Sequence, residues 1–406
     1  MVNIHMPLEE RDLRETLEGC KPRILSFARD LIGIPTENPP GQAYGRCVER
    51  ICAELDRTGL AHRLVDAPGV GDLPRVNVLS SYGDGPRTLY FHGHYDVVPA
   101  QSADQFTPRV ENGWLTGRGS ADMKAGLAAM IYAVHLLKHG KRRLIGRIGL
   151  SIVADEETGG RGGSAYLDQI GLLGQDAVAM LTPEPTGGVV WNANRGAITL
   201  RITVKGKAAH VGLQHHGVNA FEQMLRVGAA LQNLKAEVER HQTSYPIGPD
   251  DAANSILMLG GRVEGGTNFN VVPGSCAFTV DRRFNPEEDL ESEKARLCGV
   301  LDALRRRGIE LEAEVLQEGY SSGVHADDPI AQALAETIQS VTGEPLHFNM
   351  CPGLLETRWY ARHGIPAFAY GPGRLDLAHG PNEAVDVERL WQCTLAYALF
   401  ACRVLS

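Results

Sequence analysis

From Ala193 onward the hydrophobic pattern changes style, and that change constrains the fold more than any other feature of the chain. Before it, helical and strand patterns alternate. Helices are predicted over Leu8 to Ile34, Ala43 to Thr58 and Ala125 to His139, and strands over His62 to Val65, Val76 to Ser80, Thr88 to Phe91, Arg147 to Val153 and Ala177 to Leu181. Such alternation predicts an α/β domain with a mixed, mostly parallel sheet flanked by helices. After Ala193 the order becomes strand (Ala197 to Val204), helix (Asn219 to Arg240), strands (Ser255 to Arg262, Ser275 to Val280), helix (Glu288 to Arg307) and strand (Glu310 to Val315). This β-α-β-β-α-β order predicts a ferredoxin-like α+β domain inserted into the first. The α/β style returns with a helix over Pro329 to Thr342, a strand near Ala367 to Tyr370 and a closing helix over Val387 to Val404. The expected division is residues 1–192, 193–318 and 319–406, the outer two segments forming one domain.

A length of 406 residues fits that division, because a chain so long exceeds one typical core. A formal charge of −9 argues against broad electrostatic binding to nucleic acid or anionic membrane. Met1 to Arg11 is mixed and charged, without the apolar core of a signal peptide, and stretches such as Gly126 to Leu137 are too short to span a bilayer. The 8 cysteines follow no metal-site or disulfide spacing, so reduced thiols and a cytoplasmic setting are expected.

Chemistry-bearing residues collect at the ends of the predicted strands. The strand at Thr88 runs into His92-Gly93-His94-Tyr95-Asp96 and stops at Pro99; alternation puts His94 and Asp96 on one face. A glycine-rich turn, Trp114 to Gly126, holds Asp122 at the start of the next helix, where an N-cap role is also open to it. The strand ending at Val153 meets Asp155-Glu156-Glu157, three carboxylates that are costly to crowd together unless cations neutralise them. Ala177 to Leu181 runs into Glu184-Pro185-Thr186, and His379 lies in a turn after the strand near 367. Loops at strand C-termini are where open α/β sheets place their sites. His94, Asp122, Glu157, Glu184 and His379 make an all-N/O donor set that suits zinc, cobalt or manganese and is too His-rich for calcium. Five donors with one shared is the inventory of a two-metal hydrolytic site.

Read together, these motifs resemble the metallopeptidase and amidohydrolase family of acetylornithine deacetylase, succinyl-diaminopimelate desuccinylase, aminoacylase and glutamate carboxypeptidase. The resemblance rests on Gly93-His94-Tyr95-Asp96-Val97-Val98-Pro99, Gly117 to Lys124, Asp155-Glu156-Glu157, Glu184-Pro185-Thr186 and Ala378-His379, in the family's order. It implies that Asp122 bridges two divalent ions, Zn2+ foremost. His94 and Glu184 would complete one position, Glu157 and His379 the other. Asp96 would orient His94, and Glu156 would act as general base and acid. The resemblance also implies that the insert is a lid and dimerisation domain. There His210 would reach the partner subunit's active site as an oxyanion donor, with Asn270 and Arg283 gripping a substrate carboxylate. His92 is read as a packed or hydrogen-bonded residue. Two departures from the family's pattern stand out: Gln214 where a proline is usual, and Gly353-Leu354-Leu355-Glu356-Thr357-Arg358 where small polar residues and an aspartate are usual. In relatives that second segment lines the substrate side, so Glu356 and Arg358 join the candidate substrate contacts.

The expected function is hydrolysis of the amide C–N bond of a small N-acyl-amino acid by a homodimer joined through the insert. A dipeptidase or carboxypeptidase is the alternative, and a non-catalytic metal-binding relative a further one. Neither nucleic acid nor membrane is an expected partner.

Overall fold

The computed structural model describes residues 8–69, 72–140 and 144–406. The reading of Met1 to Arg11 therefore falls largely on residues 1–7, outside the described residues. In chain order the elements are α1 (Leu8–Ile32), α2 (Tyr44–Thr58), β1 (His62–Asp66), β2 (Val76–Asp84), β3 (Thr88–His94), β4 (Arg109–Glu111), β5 (Trp114–Thr116), α3 (Lys124–His139), β6 (Gly146–Val153), α4 (Ser164–Gln169), β7 (Ala177–Thr182) and β8 (Val190–Asn194). There follow β9 (Gly196–Lys205), β10 (Ala209–His210), α5 (Ala220–Val238), β11 (Ile256–Gly265), β12 (Val271–Val272), β13 (Ser275–Phe284), α6 (Leu290–Arg306), β14 (Leu311–Gly319) and β15 (Ser322–Gly323). The chain closes with α7 (Pro329–Thr342), β16 (Phe348–Cys351), α8 (Thr357–Ala361), β17 (Ala367–Ala369), β18 (Ala384–Asp386) and α9 (Val387–Val404).

Two compact units result. The first takes residues 1–192, 324–348 and 359–406; the second takes 193–323 and 349–358. The first contains a mixed sheet in the order β1-β2-β6-β3-β7-β17-β8. Its middle strands β6, β3, β7 and β17 run parallel, with antiparallel neighbours on either side. Alternate residues of these strands face opposite ways. Phe91, Leu150 and Leu181 join the main core with α1, α3, α7 and α9. Leu79, Val153 and Met180 pack on the other face against Leu167 and Tyr360. All four parallel strands end on one side, delivering His94, the Asp155 turn, the Glu184 loop and the loop leading to His379. Two close approaches tighten that edge. A Cβ on Gly126 would lie 2.7 Å from the Pro183 carbonyl oxygen, and one on Gly371 would lie 2.4 Å from that of Glu184. Buried Lys124 donates to the carbonyls of Leu31 (2.9 Å) and Ile34 (2.6 Å), tying the end of α1 to the start of α3.

The second unit has the ferredoxin-like order. Its four-stranded sheet runs β11-β13-β9-β14, every neighbour antiparallel. One face is covered by Val227 and Leu231 of α5 and by Leu297 and Leu301 of α6. Asn219 and Asp289 cap those helices by accepting backbone N–H bonds, which satisfies first-turn donors. In a three-stranded sheet, β18-β5-β4, the strand β5 occupies the start of the stretch read from sequence as a turn, and β4, β18 and β8 carry no sequence prediction. Strands of three residues carry too few alternations to register as a period.

Candidate metal centre

His94 ends β3 with a buried ring. Its Nδ1 lies 3.0 Å from the Asp96 carbonyl oxygen, which fixes the ring and leaves Nε2 facing Asp122 Oδ1 at 3.1 Å. Asp122 Oδ2 meets Nε2 of His379 at 3.2 Å, and that nitrogen lies 3.4 Å from Glu157 Oε2. Donor atoms of His94, Asp122 and Glu184 lie within 4.8 Å of one another, as do those of Asp122, Glu157 and His379. Asp122 belongs to both groups.

Electrostatics explains why such a set calls for cations. Burial and the nearby charge of Asp122 push the Glu184 carboxyl well above the usual range, and burial raises Glu157 as well. Against the desolvation it suffers, Asp122 is held low by hydrogen bonds from His379 and His94. Those bonds to Asp122 and Glu157 lift His379 to about 10. Glu157 Oε1 and Glu184 Oε1 are buried without a hydrogen-bond partner among the described residues. An acceptor left bare in that way is costly, and a divalent cation satisfies it directly. The residues fit a pair of metal ions.

The three consecutive carboxylates part company. Asp155, in the left-handed region at φ 61°, turns away to Arg75 Nε at 2.6 Å and to the Tyr44 hydroxyl at 3.1 Å. Glu157 faces Asp122 and His379, and the charge of Glu156 acts on both His94 and Glu184. Asp96 holds the turn that carries them. Its carboxylate accepts the backbone N–H of Glu156 (3.2 Å) and of Glu157 (3.1 Å) and the side-chain amide of Asn38 (2.8 Å). The carboxylate stands 3.4 Å from His94 Nδ1, farther than the Asp96 carbonyl oxygen, so its main grip is on the acidic turn. His92 bridges Tyr360 (3.1 Å) and Ser164 (3.0 Å) in the core, as its packed reading expects.

Two buried residues escaped the sequence reading, Asn38 and Glu383. The run Asn38-Pro39-Pro40-Gly41 is a turn signal in the sequence and marks no site. Yet residues 36–38 run beside 95–97, through Asn38 N–H to Val97 O (2.8 Å) and Val97 N–H to Thr36 O (3.0 Å). No local signal marks that pairing.

In the second unit His210 is exposed on β10, its Nδ1 accepting the Gly212 N–H at 3.1 Å; across the small ladder the Asn270 carbonyl accepts the Val211 N–H at 2.9 Å. Arg283 already spends its fork on Asp281, at 2.8 and 3.0 Å. Glu356 and Arg358 are buried and paired with each other at 3.2 Å, and Arg358 also donates to the Leu355 carbonyl at 2.7 Å.

A mostly parallel sheet that gathers two overlapping His/carboxylate groups at its strand ends defines a metal-dependent hydrolase. Residues 90–403 match Peptidase family M20/M25/M40, and the chain belongs to that family, whose members hydrolyse C–N bonds. It is 29% identical over 378 residues to a succinyl-diaminopimelate desuccinylase of Bordetella parapertussis, covering 90% of this chain and 94% of that one. It is 28% identical over 415 residues to an N-formyl-4-amino-5-aminomethyl-2-methylpyrimidine deformylase of Bacillus subtilis, covering 94% of each. The fold superposes on an M20 metallo-carboxypeptidase of Sulfolobus solfataricus with a TM-score of 0.79 at 16% identity, covering 93% of this chain and 98% of that one. Among the described residues no helix is long and apolar enough to cross a membrane.

Proposed function

We propose that the chain hydrolyses the amide bond of a small N-acyl-amino acid at two divalent metal ions, Zn2+ foremost and Co2+ or Mn2+ as substitutes. The carrying observation is the pair of donor groups that share Asp122. His94 and Glu184 would hold one ion, Glu157 and His379 the other, with Asp122 between them. Bound there, the ions polarise the scissile carbonyl and lower the pKa of water. Glu156 takes the proton of the attacking water and passes it to the leaving amine. Asp96 keeps Glu156 in place through the backbone bond to its carboxylate.

The outer segments would form the catalytic domain and the second unit the lid and dimerisation domain. Phe221 and Leu225 on α5, and Met258 and Val263 on β11, are large apolar side chains left exposed, which supports a homodimer through this unit. His210 would act across that interface as an oxyanion donor, and Asn270 would contact the substrate. Arg283 would grip the substrate carboxylate after exchanging Asp281 for it. Glu356 and Arg358 would contact the substrate, and Leu354 and Leu355 on the same loop would shape the acyl pocket. The spacing of the 8 cysteines, which follows no disulfide pattern, supports a cytoplasmic setting.

Kinship to a desuccinylase and a deformylase supports deacylation over peptide cleavage. The carboxypeptidase likeness keeps a dipeptidase or carboxypeptidase as the second reading. The test is hydrolysis of N-succinyl, N-acetyl and N-formyl amino acids beside dipeptides after metal reconstitution. Turnover of an acyl substrate, abolished by chelator and restored by metal, is expected. Dipeptides as the better substrates would replace the reading, and no turnover with two ions bound would sink it.

A further inference from the structure

Glu383 lies four residues beyond His379, immediately before β18, and is 2% exposed. One of its oxygens, Oε1, accepts three backbone N–H bonds, from Gly119 (3.0 Å), Ala121 (2.9 Å) and Asp122 (3.1 Å). The other, Oε2, takes Arg118 Nη1 at 2.6 Å. Arg118 is buried too, and its Nη2 donates to the His379 carbonyl at 3.2 Å and to that of Pro99 at 3.4 Å. With both oxygens engaged, Glu383 stands outside the two donor groups. The carboxylate therefore has two arms: one fixes the loop that presents Asp122, the other reaches the backbone of His379 through Arg118.

We infer that Glu383 is a positioning residue that sets the spacing of His379 from Asp122, and thereby the affinity of the metal position that uses His379. This rests on the two-metal reading above. Asp122 and His379 share one donor group, whereas no hydrogen bond joins Glu383 or Arg118 to the side chains of His94 or Glu184. The two arms separate chemically in Glu383→Gln. The amide oxygen can still accept the three N–H bonds, so the Asp122 loop stays. The amide nitrogen then faces Arg118 donor to donor, and the guanidinium loses its anion and its hold on His379. Outer partners of metal ligands typically change metal affinity by about 10–100-fold.

The test titrates Co2+ into chelator-stripped protein and follows its visible absorption against a competing chromophoric chelator. Parent protein should bind in two steps, and His379→Ala identifies the step that needs His379. In Glu383→Gln that same step should weaken by about 10–100-fold, the other moving by less than about threefold. Should the single variant not fold, Arg118→Met/Glu383→Gln removes the stranded guanidinium and carries the same expectation. Two unchanged steps, or equal weakening of both, would overturn the inference while leaving the two-metal reading intact. A parent protein that binds fewer than two ions would end that reading and this inference with it.

Discussion

Replacing Asp96 with asparagine probes the turn that carries Glu156 and Glu157 without altering the volume of a fully buried side chain. Asp96 Oδ1 accepts one backbone N–H, from Glu156, and Oδ2 accepts the Glu157 N–H and the Asn38 amide. An asparagine must put its NH2 on one of those sides. If it replaces Oδ1, one charge-assisted bond is lost; if it replaces Oδ2, two are lost and donors face each other. A hydrogen bond to a charged group contributes about 1.5–3 kcal/mol. Loss of one or two, partly relieved by relaxation, predicts destabilisation of the metal-free protein by ~2–4 kcal/mol. Because the bonds that fail are those seating Glu156 and Glu157, turnover at saturating metal should fall by at least ~30-fold, the factor equivalent to ~2 kcal/mol. Denaturant midpoints of chelator-stripped protein and initial rates of reconstituted protein measure the two effects. A midpoint shift worth under ~0.5 kcal/mol with rates within ~3-fold of the parent would refute the assignment, since surface-like changes have that size.

Other consequences follow from the same geometry. Glu156→Gln should bind two metals as the parent does and lose about 10²–10⁴-fold in turnover; metal analysis beside kinetics checks it, and full activity would remove Glu156 as the base. Gly126→Ala places a methyl within 2.7 Å of the Pro183 carbonyl and should destabilise the protein by ~1–3 kcal/mol, read from thermal midpoints. Met258→Glu introduces a charge on exposed β11 and should convert a dimer to monomers in sedimentation, with loss of activity if His210 serves the partner's site. A parent that already sediments as an active monomer contradicts that reading.

The parts of the fold that sequence made legible are those with long periods or local signatures. β3, β6 and β7 were readable because buried parallel strands are continuous apolar runs, and their terminal His94, Glu157 and Glu184 stood out as polar groups where an apolar run stops. α5 and α6 announced themselves by period and by the caps Asn219 and Asp289. What stayed hidden depends on partners distant in the chain. Asn38 is defined by Asp96, Asp155 and Thr158, and Glu383 by a loop more than 260 residues earlier. Glu356 and Arg358 are marked in the sequence only by their place in a motif, whereas their burial and mutual pairing depend on the folded loop.

The acidic residues around the centre divide by how their charge is compensated, and that division has a measurable consequence. Asp155 has Arg75, Glu383 has Arg118 and three N–H donors, and Asp96 has two N–H donors and Asn38. Glu184 has none of these among the described residues: its Oε1 is buried with no partner there, beside the charge of Asp122. The protein itself therefore gives each of these three carboxylates polar partners and leaves Glu184 Oε1 to be matched by a cation. Without metal, Glu184 is strained by ionisation. Burial and Asp122 raise its pKa above the unfolded value, so its contribution to stability is retained below the usual carboxylate range and lost as pH rises. Glu184→Gln removes the charge and should raise the midpoint of metal-free protein at pH 8 by ~1–2 kcal/mol, the scale of a buried unsatisfied group, with little change near pH 4. The same variant should lose one metal and nearly all turnover, because the group that destabilises the empty site is the one that binds the ion. An unchanged midpoint at pH 8 would mean that Glu184 is compensated by the protein after all, and that its bare oxygen is no mark of a ligand.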